Sequence, residues 1–290
     1  MHAPNPLAFP SSATSTPLSI GAVALVVRDL DRVARFYCDA VGLAVLKRNP
    51  HGATLGVDGV ALMHLEHRPD ARPDEPRQCG LFHTAFLMPT RADLARWYRH
   101  MRRAGFTIAR AAGHAVNEAI YYDDPEGNGV ECYADRPPQT WRWDNDRVDI
   151  TIEPLDLEAL ARAADATAPY ERAPAGLRIG HLNLRVGDLD AAEQFYCAAG
   201  LDLTCRRADM TFMSSGRYHH HLAANTRASA GAGRRDESCA GLLWFAFKAA
   251  DAATRDSAAA GLRAAGAAVE PIENGFEARD PWGTRVRVVT

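Results

Sequence analysis

The chain carries an internal duplication, and that duplication leaves few folds open to it. Ile20-Gly21-Ala22-Val23-Ala24-Leu25-Val26-Val27-Arg28-Asp29-Leu30-Asp31 returns as Ile179-Gly180-His181-Leu182-Asn183-Leu184-Arg185-Val186-Gly187-Asp188-Leu189-Asp190. Both copies run on through Phe-Tyr-Cys, at Phe36 to Cys38 and Phe195 to Cys197, and both break at a Gly-Leu pair, Gly42-Leu43 and Gly200-Leu201. A second kind of segment also recurs. Leu81 to Phe86 matches Leu242 to Phe247, and each leads into a helical stretch, Arg91 to Arg103 and Ala249 to Ala264, that ends near Ala-Gly as a left-handed cap requires. The turns Asp124-Pro125-Glu126-Gly127-Asn128 and Asp280-Pro281-Trp282-Gly283-Thr284 then match. The chain therefore reads as four units, 18–68, 78–135, 177–226 and 239–290, each a strand, a helix and several strands. Units one and three are alike, as are two and four: an ancestral pair, duplicated.

The units group by sequence into a first domain, 18–135, and a second, 177–290, joined by a strap, 136–176. Pro137-Pro138, Trp141, Trp143 and a short helix from Asp156 to Ala164 make the strap ordered, since both tryptophans need a surface to cover. Residues 1–17 lack a basic start and an unbroken apolar stretch, so they read as a flexible arm and not a signal peptide. Gly52 to Gly59 and Ser229 to Arg235 read as loops, the second mobile. With 47% hydrophobic and 24% charged residues and a formal net charge of -3, the composition is that of a soluble globular protein without the basic excess that nucleic acid or an anionic membrane would select. No apolar run approaches membrane-spanning length. Six cysteines form no CxxC pair, which suits reduced thiols in a cytoplasmic protein.

Two positions in each unit are candidates for a shared site: the third residue of the opening segment and a residue on the last strand. The opening positions hold Ala22, His83, His181 and Trp244, and the last strands of units two and four hold Glu131 and Arg287. A single histidine on a strand is more often a hydrogen-bonded core residue than a ligand. Here two histidines share one repeat position, and Glu131 lies in an apolar strand where a bare carboxylate is costly. His83, Glu131 and His181 form a two-histidine, one-carboxylate set suited to Fe(II) with open positions left; Mn(II), Zn(II) and Ni(II) tolerate similar ligands. The set is complete only if units two and three face each other, so its distribution predicts crossed pairing. Arg287 has a plain structural role, pairing with Glu273 or Glu277.

Around this set, His219, His220 and His221 are expected to alternate across a strand, with one or two rings facing the cleft as a general base or a donor near the metal. Of Tyr121 and Tyr122, one must face inward; Tyr121 is the candidate to hydrogen-bond a phenolate, against a role in core packing. His114, in the loop-like Ala112-Gly113-His114, either reaches substrate or is exposed. No phosphate-binding loop and no nucleophile elbow is present.

These residues resemble the vicinal-oxygen-chelate superfamily, and within it the two-domain, four-module members related to catechol 2,3-dioxygenase. The likeness runs from Leu18 to Thr290 and rests on Val27-Arg28-Asp29-Leu30 with Phe36-Tyr37, on Tyr121 to Glu131, on Ile179-Gly180-His181 and on Tyr218-His219-His220-His221. The resemblance implies an α+β fold of four βαβββ modules forming two paired half-open barrels around a divalent metal. Ring-cleaving members use two histidines and a glutamate, matched here by His181, His83 and Glu131. In well-known extradiol enzymes all three come from the second half of the chain, where this sequence has Trp244 and Arg287; a subset related to hydroquinone-cleaving enzymes joins ligands from both halves. The implied activity is Fe(II)-dependent ring cleavage of a small aromatic diol by dioxygen, with Tyr121 binding substrate and a histidine of 219–221 moving protons. A glyoxalase-like lyase or isomerase and a non-enzymatic aromatic-binding protein are the alternatives. Such folds often associate into homo-oligomers, but nothing in the sequence fixes an interface.

Overall fold

Each unit folds as a strand, a helix and three further strands in the computed structural model, which describes residues 12–163 and 168–290. Unit one comprises β1 (Leu18–Val27), α1 (Leu30–Phe36), β2 (Ala44–Asn49), β3 (Gly52–Val57) and β4 (Val60–His67). Unit two comprises β5 (Gly80–Leu87), α2 (Arg91–Ala104), β6 (Arg110–His114), β7 (Asn117–Asp123) and β8 (Gly129–Asp135). The strap holds β9 (Trp143–Asp144), β10 (Arg147–Val148), β11 (Ile152–Glu153) and α3 (Leu157–Arg162). Unit three follows with β12 (Arg178–Arg185), α4 (Leu189–Ala198), β13 (Asp202–Arg206), β14 (Met210–Ser214) and β15 (Leu222–Asn225). Unit four ends the chain with β16 (Gly241–Ala249), α5 (Ala252–Ala264), β17 (Val269–Ile272), β18 (Gly275–Arg279) and β19 (Arg285–Val289). Local chemistry sets the boundaries. Asp29 and Asp188 cap α1 and α4 by accepting from the backbone N–H of Arg32 and Ala191, at 3.0 and 2.8 Å. Gly105 ends α2 at φ 75°.

Strand pairing crosses the two halves of the chain. One sheet runs β17-β18-β19-β16-β1-β4-β3-β2, and the other β11-β6-β7-β8-β5-β12-β15-β14-β13. Units one and four thus share a sheet, as do units two and three, the crossed arrangement that the histidine distribution favoured. The helical side keeps to the halves instead. Trp97 Nε1 on α2 donates to the Ala40 carbonyl after α1 at 2.7 Å. The Tyr37 hydroxyl donates to Asp124 at 3.2 Å and the Tyr196 hydroxyl to Asp280 at 2.9 Å, so the repeated Phe-Tyr pair of one unit fastens the turn of the next. Each aspartate also accepts two backbone N–H groups across its own turn, which Gly127 and Gly283 close at φ 86°.

The repeated Ile-Gly marks a bulge in each sheet. On β1, Ile20 pairs with Phe247 and Ala22 with Ala246; on β12, Ile179 pairs with Phe86 and His181 with Ala85. Gly21 and Gly180 are the inserted residues, and one extra residue moves everything after it to the opposite face. A Cβ on Gly180 would lie 1.8 Å from the Tyr133 hydroxyl oxygen, so only glycine fits there. The larger apolar core joins the helix-facing residues of both sheets, among them Leu25, Phe86, Val130, Leu182 and Phe245. A smaller one, with Ala85, Leu87, Tyr133, Trp141, Phe212 and Tyr218, lies on the other face of the nine-stranded sheet.

Several segments differ from their sequence reading, among them Ala112-Gly113-His114, which is no loop but the end of β6. Gly52 to Gly59 is not a loop: Gly52–Val57 is β3, with Ala53, Leu55 and Val57 buried by alternation and the glycines admitting close strand approach, since a Cβ on Gly56 would sit 1.9 Å from the Val60 carbonyl oxygen. Ser229 to Arg235 is anchored, with Ser229 Oγ donating to the Val186 carbonyl at 2.9 Å and Arg235 Nη1 to the Leu242 carbonyl at 3.0 Å. Of the expected arm, residues 1–11 lie outside the described residues, as does the Ala164 end of the strap helix, but Ser12–Thr14 forms a packed 3-10 turn with Ala13 and Thr16 buried. The Ala13 carbonyl and Thr16 hydroxyl oxygens lie 3.0 and 3.2 Å from His221 Nε2. Within the strap Trp141 is buried, with Nε1 donating to the Arg136 carbonyl at 3.0 Å. No helix among the described residues is long and apolar enough to cross a membrane.

Two measurements check this frame. Gly180→Ala should lower stability by about 1–3 kcal/mol through overpacking, while Gly21→Ala, whose nearest neighbour would be 3.5 Å away, should be tolerated; urea unfolding of both variants decides. His221 is held down to about 3 by burial, against an ordinary value of 6.5. Between those values the unfolded chain binds a proton that the folded chain refuses, so stability must rise with pH across the window and be complete above it. The slope from this one group is at most about 1.4 kcal/mol per pH unit, and His221→Gln should remove that share from unfolding curves collected from acid to neutral pH.

Candidate metal centre

The bulge at Gly180 sets His181 opposite Ala85, and the parallel pairing of β5 with β8 sets Glu131 on the other side of the same Ala85. His83 lies two residues earlier on β5 and so shares that face. The alanine methyl leaves room above it, and the three longer side chains lean in. Their ligand atoms all lie within 4.8 Å of one another, with His83 Nε2 at 3.0 Å and His181 Nε2 at 3.1 Å from Glu131 Oε2. All three are buried, Glu131 and His181 to 2% exposure.

The donor set fits a divalent cation. His83 Nε2 is buried and makes no hydrogen bond despite its approach to the carboxylate, so the two atoms are close without the alignment a hydrogen bond needs. Burial pushes the Glu131 carboxyl up, but the facing His181 ring and then His83 outweigh it and hold it well below the usual carboxylate range. Burial likewise holds His181 below the ordinary histidine value. Neutral imidazoles with an ionised carboxylate are the forms that bind metal. Two nitrogens and one oxygen suit Fe(II), Mn(II), Zn(II) or Ni(II).

The nine-stranded sheet curls so that β6, β7 and β14 reach the same cavity as the three donors. Tyr121 faces inward, its hydroxyl 3.2 Å from His114 Nε2, with the Arg110 guanidinium 4.4 Å above its ring centroid. Tyr122 faces the core, its hydroxyl 3.3 Å from Cys132 Sγ. Burial raises the Tyr121 phenol well above its ordinary value and lowers His114 to about 4, so both are neutral near pH 7. Phe82, Ile150, Ile152, Met210 and Phe212 supply apolar wall, and Arg207 and Arg227 complete it.

The histidine tract is not the alternating strand expected of it: β15 begins only at Leu222, and residues 219–221 form a bend. His220 lines the cavity with its ring centroid 4.2 Å from that of His181. Burial, then the neighbouring His181 and His219 rings, hold it well below the ordinary histidine value. His219 is buried behind it, Nδ1 2.7 Å from His220 Nδ1 and Nε2 2.8 Å from Asp135 Oδ1. His221 turns the other way, its Nδ1 3.0 Å from Ser214 Oγ. One ring of three therefore faces the cavity, because a bend with polar partners on both sides does not keep the period-two rule.

Sequence reasoning missed Asp135 and Tyr133, although alternation from Glu131 along β8 places both on the donor face. It also missed Arg110, which pairs across from Tyr121, and the strap isoleucines. In the other sheet the repeat positions hold Ala22, Trp244 and Arg287. There Arg287 Nε donates to Glu277 at 2.8 Å, one of the two carboxylates expected, and its guanidinium lies 4.1 Å from the Trp244 ring centroid. Among the described residues only His83, Glu131 and His181 form a group of three or more side chains placed to hold a metal.

Comparison with known proteins bears on both fold and family. The profile of the glyoxalase/bleomycin resistance protein/dioxygenase superfamily matches residues 19–132 and 178–288. A catechol-2,3-dioxygenase of Bacillus subtilis (strain 168) is 35% identical over 268 residues, 90% of this chain and 93% of that protein. Biphenyl-2,3-diol 1,2-dioxygenase 3 of Rhodococcus globerulus is 34% identical over 116 residues, 38% of this chain and 60% of that protein. Among solved structures, a putative dioxygenase from Bacillus subtilis subsp. subtilis str. 168 superposes with a TM-score of 0.62 at 14% identity, covering 94% of this chain and 84% of its own. Glyoxalase I from Zea mays gives 0.56 at 16% identity, with 96% and 94% coverage. At such identities these two speak for the fold alone.

Titration of the full chain with Fe(II) or Zn(II) should find one tight site. His83→Ala and Glu131→Gln should each weaken it by about tenfold or more, and Ala85→Leu should do so while removing no donor, by filling the space between His181 and Glu131. Calorimetry and metal retention after gel filtration measure all three.

Proposed function

The chain belongs to the glyoxalase/bleomycin resistance protein/dioxygenase superfamily, and from that premise we propose that it is an Fe(II)-dependent extradiol-type dioxygenase cleaving a catechol-like aromatic diol. The observation that carries this reading is the convergence of two buried histidines and one buried carboxylate on an aromatic-walled cavity. The high coverage of a relative described as a catechol-2,3-dioxygenase supports it. In this reading both sheets are half-open barrels, and only the one built from units two and three is fitted for a metal.

His83, His181 and Glu131 would hold the metal. When bound, iron(II) supplies chelation of two vicinal oxygens and electron transfer to dioxygen. The chain supplies the rest. Phe82, Phe212, Met210 and the strap isoleucines form apolar walls that seat a flat ring and exclude water. Tyr121, kept a phenol by burial, donates its hydrogen bond to a developing substrate oxyanion, and His114 beside it fixes the hydroxyl. His220, neutral and at the cavity wall, accepts the proton that a diol gives up.

Protein purified without oxygen or chelators should contain about one iron per chain and consume oxygen with a catechol panel, giving yellow ring-opened products. His220→Gln should lower kcat by about 100-fold with metal content unchanged. Zinc or nickel together with oxygen-independent turnover of an enediol-forming substrate would shift the reading to a lyase. Tight binding of aromatics without metal or turnover would make it a binding protein.

A further inference from the structure

Behind the cavity wall lies a hydrogen-bonded chain that the steps above leave unused. His220 contacts His219 through their Nδ1 atoms at 2.7 Å, and His219 Nε2 lies 2.8 Å from Asp135 Oδ1. The Tyr218 hydroxyl donates to the same carboxylate, 3.0 Å from Oδ2, and lies 2.8 Å from the Tyr133 hydroxyl. His219 and Tyr218 are fully buried, and Trp141 covers His219 edge-on with ring centroids 4.9 Å apart.

We propose that Asp135 and His219 are positioning residues that fix the tautomer of His220, placing its proton on Nδ1 and turning a bare Nε2 toward the cavity. The argument is one of hydrogen-bond direction. An ionised carboxylate only accepts, so the His219 nitrogen that faces it carries a proton. A neutral His219 then has a bare Nδ1, and the single hydrogen between the two rings must come from His220 Nδ1. Neutral His220 has no second proton, so the nitrogen left for the cavity is a lone pair. Direction set at Asp135 thus passes through two rings to the cavity surface. A second proton on His219 would reverse the shared bond, a form that the spectrum of the imidazole nitrogens distinguishes. The tautomer itself does not depend on that reading; only its kinetic consequence does.

The test is a long-range proton–nitrogen correlation spectrum of the imidazoles of the full chain at neutral pH. Diamagnetic Zn(II) is added, and His219→Gln and His220→Gln serve for assignment. In the wild type, His220 should show a protonated Nδ1 and a bare Nε2, and His219 the reverse. Asp135→Asn, whose amide can donate to His219, should move the His220 proton to Nε2, and Asp135→Glu should restore the original pattern. A wild-type His220 protonated on Nε2, a doubly protonated His219, or an unchanged His220 in folded Asp135→Asn overturns the proposal. The wild-type spectrum decides even if the variant fails to fold. With a turned-over catechol, Asp135→Asn should lower kcat by about 10- to 100-fold with KM and metal content retained. Absence of turnover in the wild type would count against ring cleavage alone, because the spectrum needs none.

Discussion

The antiparallel pairing of β5 with β12 is the contact on which the remainder rests. It joins two units more than ninety residues apart in sequence, and it fixes which residues share a face. One inserted glycine decides the outcome. Were Gly180 paired in a regular ladder and not bulged out, His181 would pass Ala85 and lie opposite Thr84, on the face that packs against the helices. With the bulge, His181, Ala85 and Glu131 form a row across three strands, and a small residue between two large ones makes the gap where donors meet.

Charge balance separates the two sheets. Burying Glu131 among apolar strands costs free energy that its hydrogen bond with His181 recovers only in part, a deficit that a bound cation would offset. In the sibling sheet the compensation is internal. Glu277 sits between Arg285 and Arg287, with Nε–oxygen distances of 2.7 and 2.8 Å, and the second arginine lies over the Trp244 ring. The same module geometry therefore brings together a group able to hold a cation in one sheet and a partly exposed cluster of paired charges in the other. Side chains at two repeat positions make the difference.

Much of this was legible in the sequence because duplication doubles every signal. The Ile-Gly and Asp-Pro-x-Gly motifs, each present twice, pointed to the modules, the turns and the three residues that converge, and the uneven spread of histidines favoured the crossed pairing. What stayed hidden had physical causes. Gly52 to Gly59 looked like a loop because glycine is a strand breaker in isolation, yet here it relieves crowding between paired strands. The direction of His219 to His221 could not be read because a bend lacks the period that a strand enforces. Asp135 was legible in principle, by alternation from Glu131. The Arg110 guanidinium on Tyr121 depends on a cross-strand neighbour that only the register supplies.

The crossed sheets also bear on the order in which the protein is made. When the first half has emerged from the ribosome, β1 lacks its neighbour β16 and β5 lacks β12, so each has one open hydrogen-bonding edge. Those edges are internal in the finished sheets and carry none of the charges or prolines that protect a permanent edge; β1 and β5 read LSIGAVALVV and GLFHTAFL. Nascent chains on one polysome present such edges to one another before their own partners arrive. The packed helices and turn clasps within each half, Trp97 on Ala40 and Tyr37 on Asp124, can form at that stage and hold the half-chain while it waits. Duplication thus left this protein with a site that neither half can assemble alone, and with a period of vulnerability during synthesis that lasts until β12 and β16 are released.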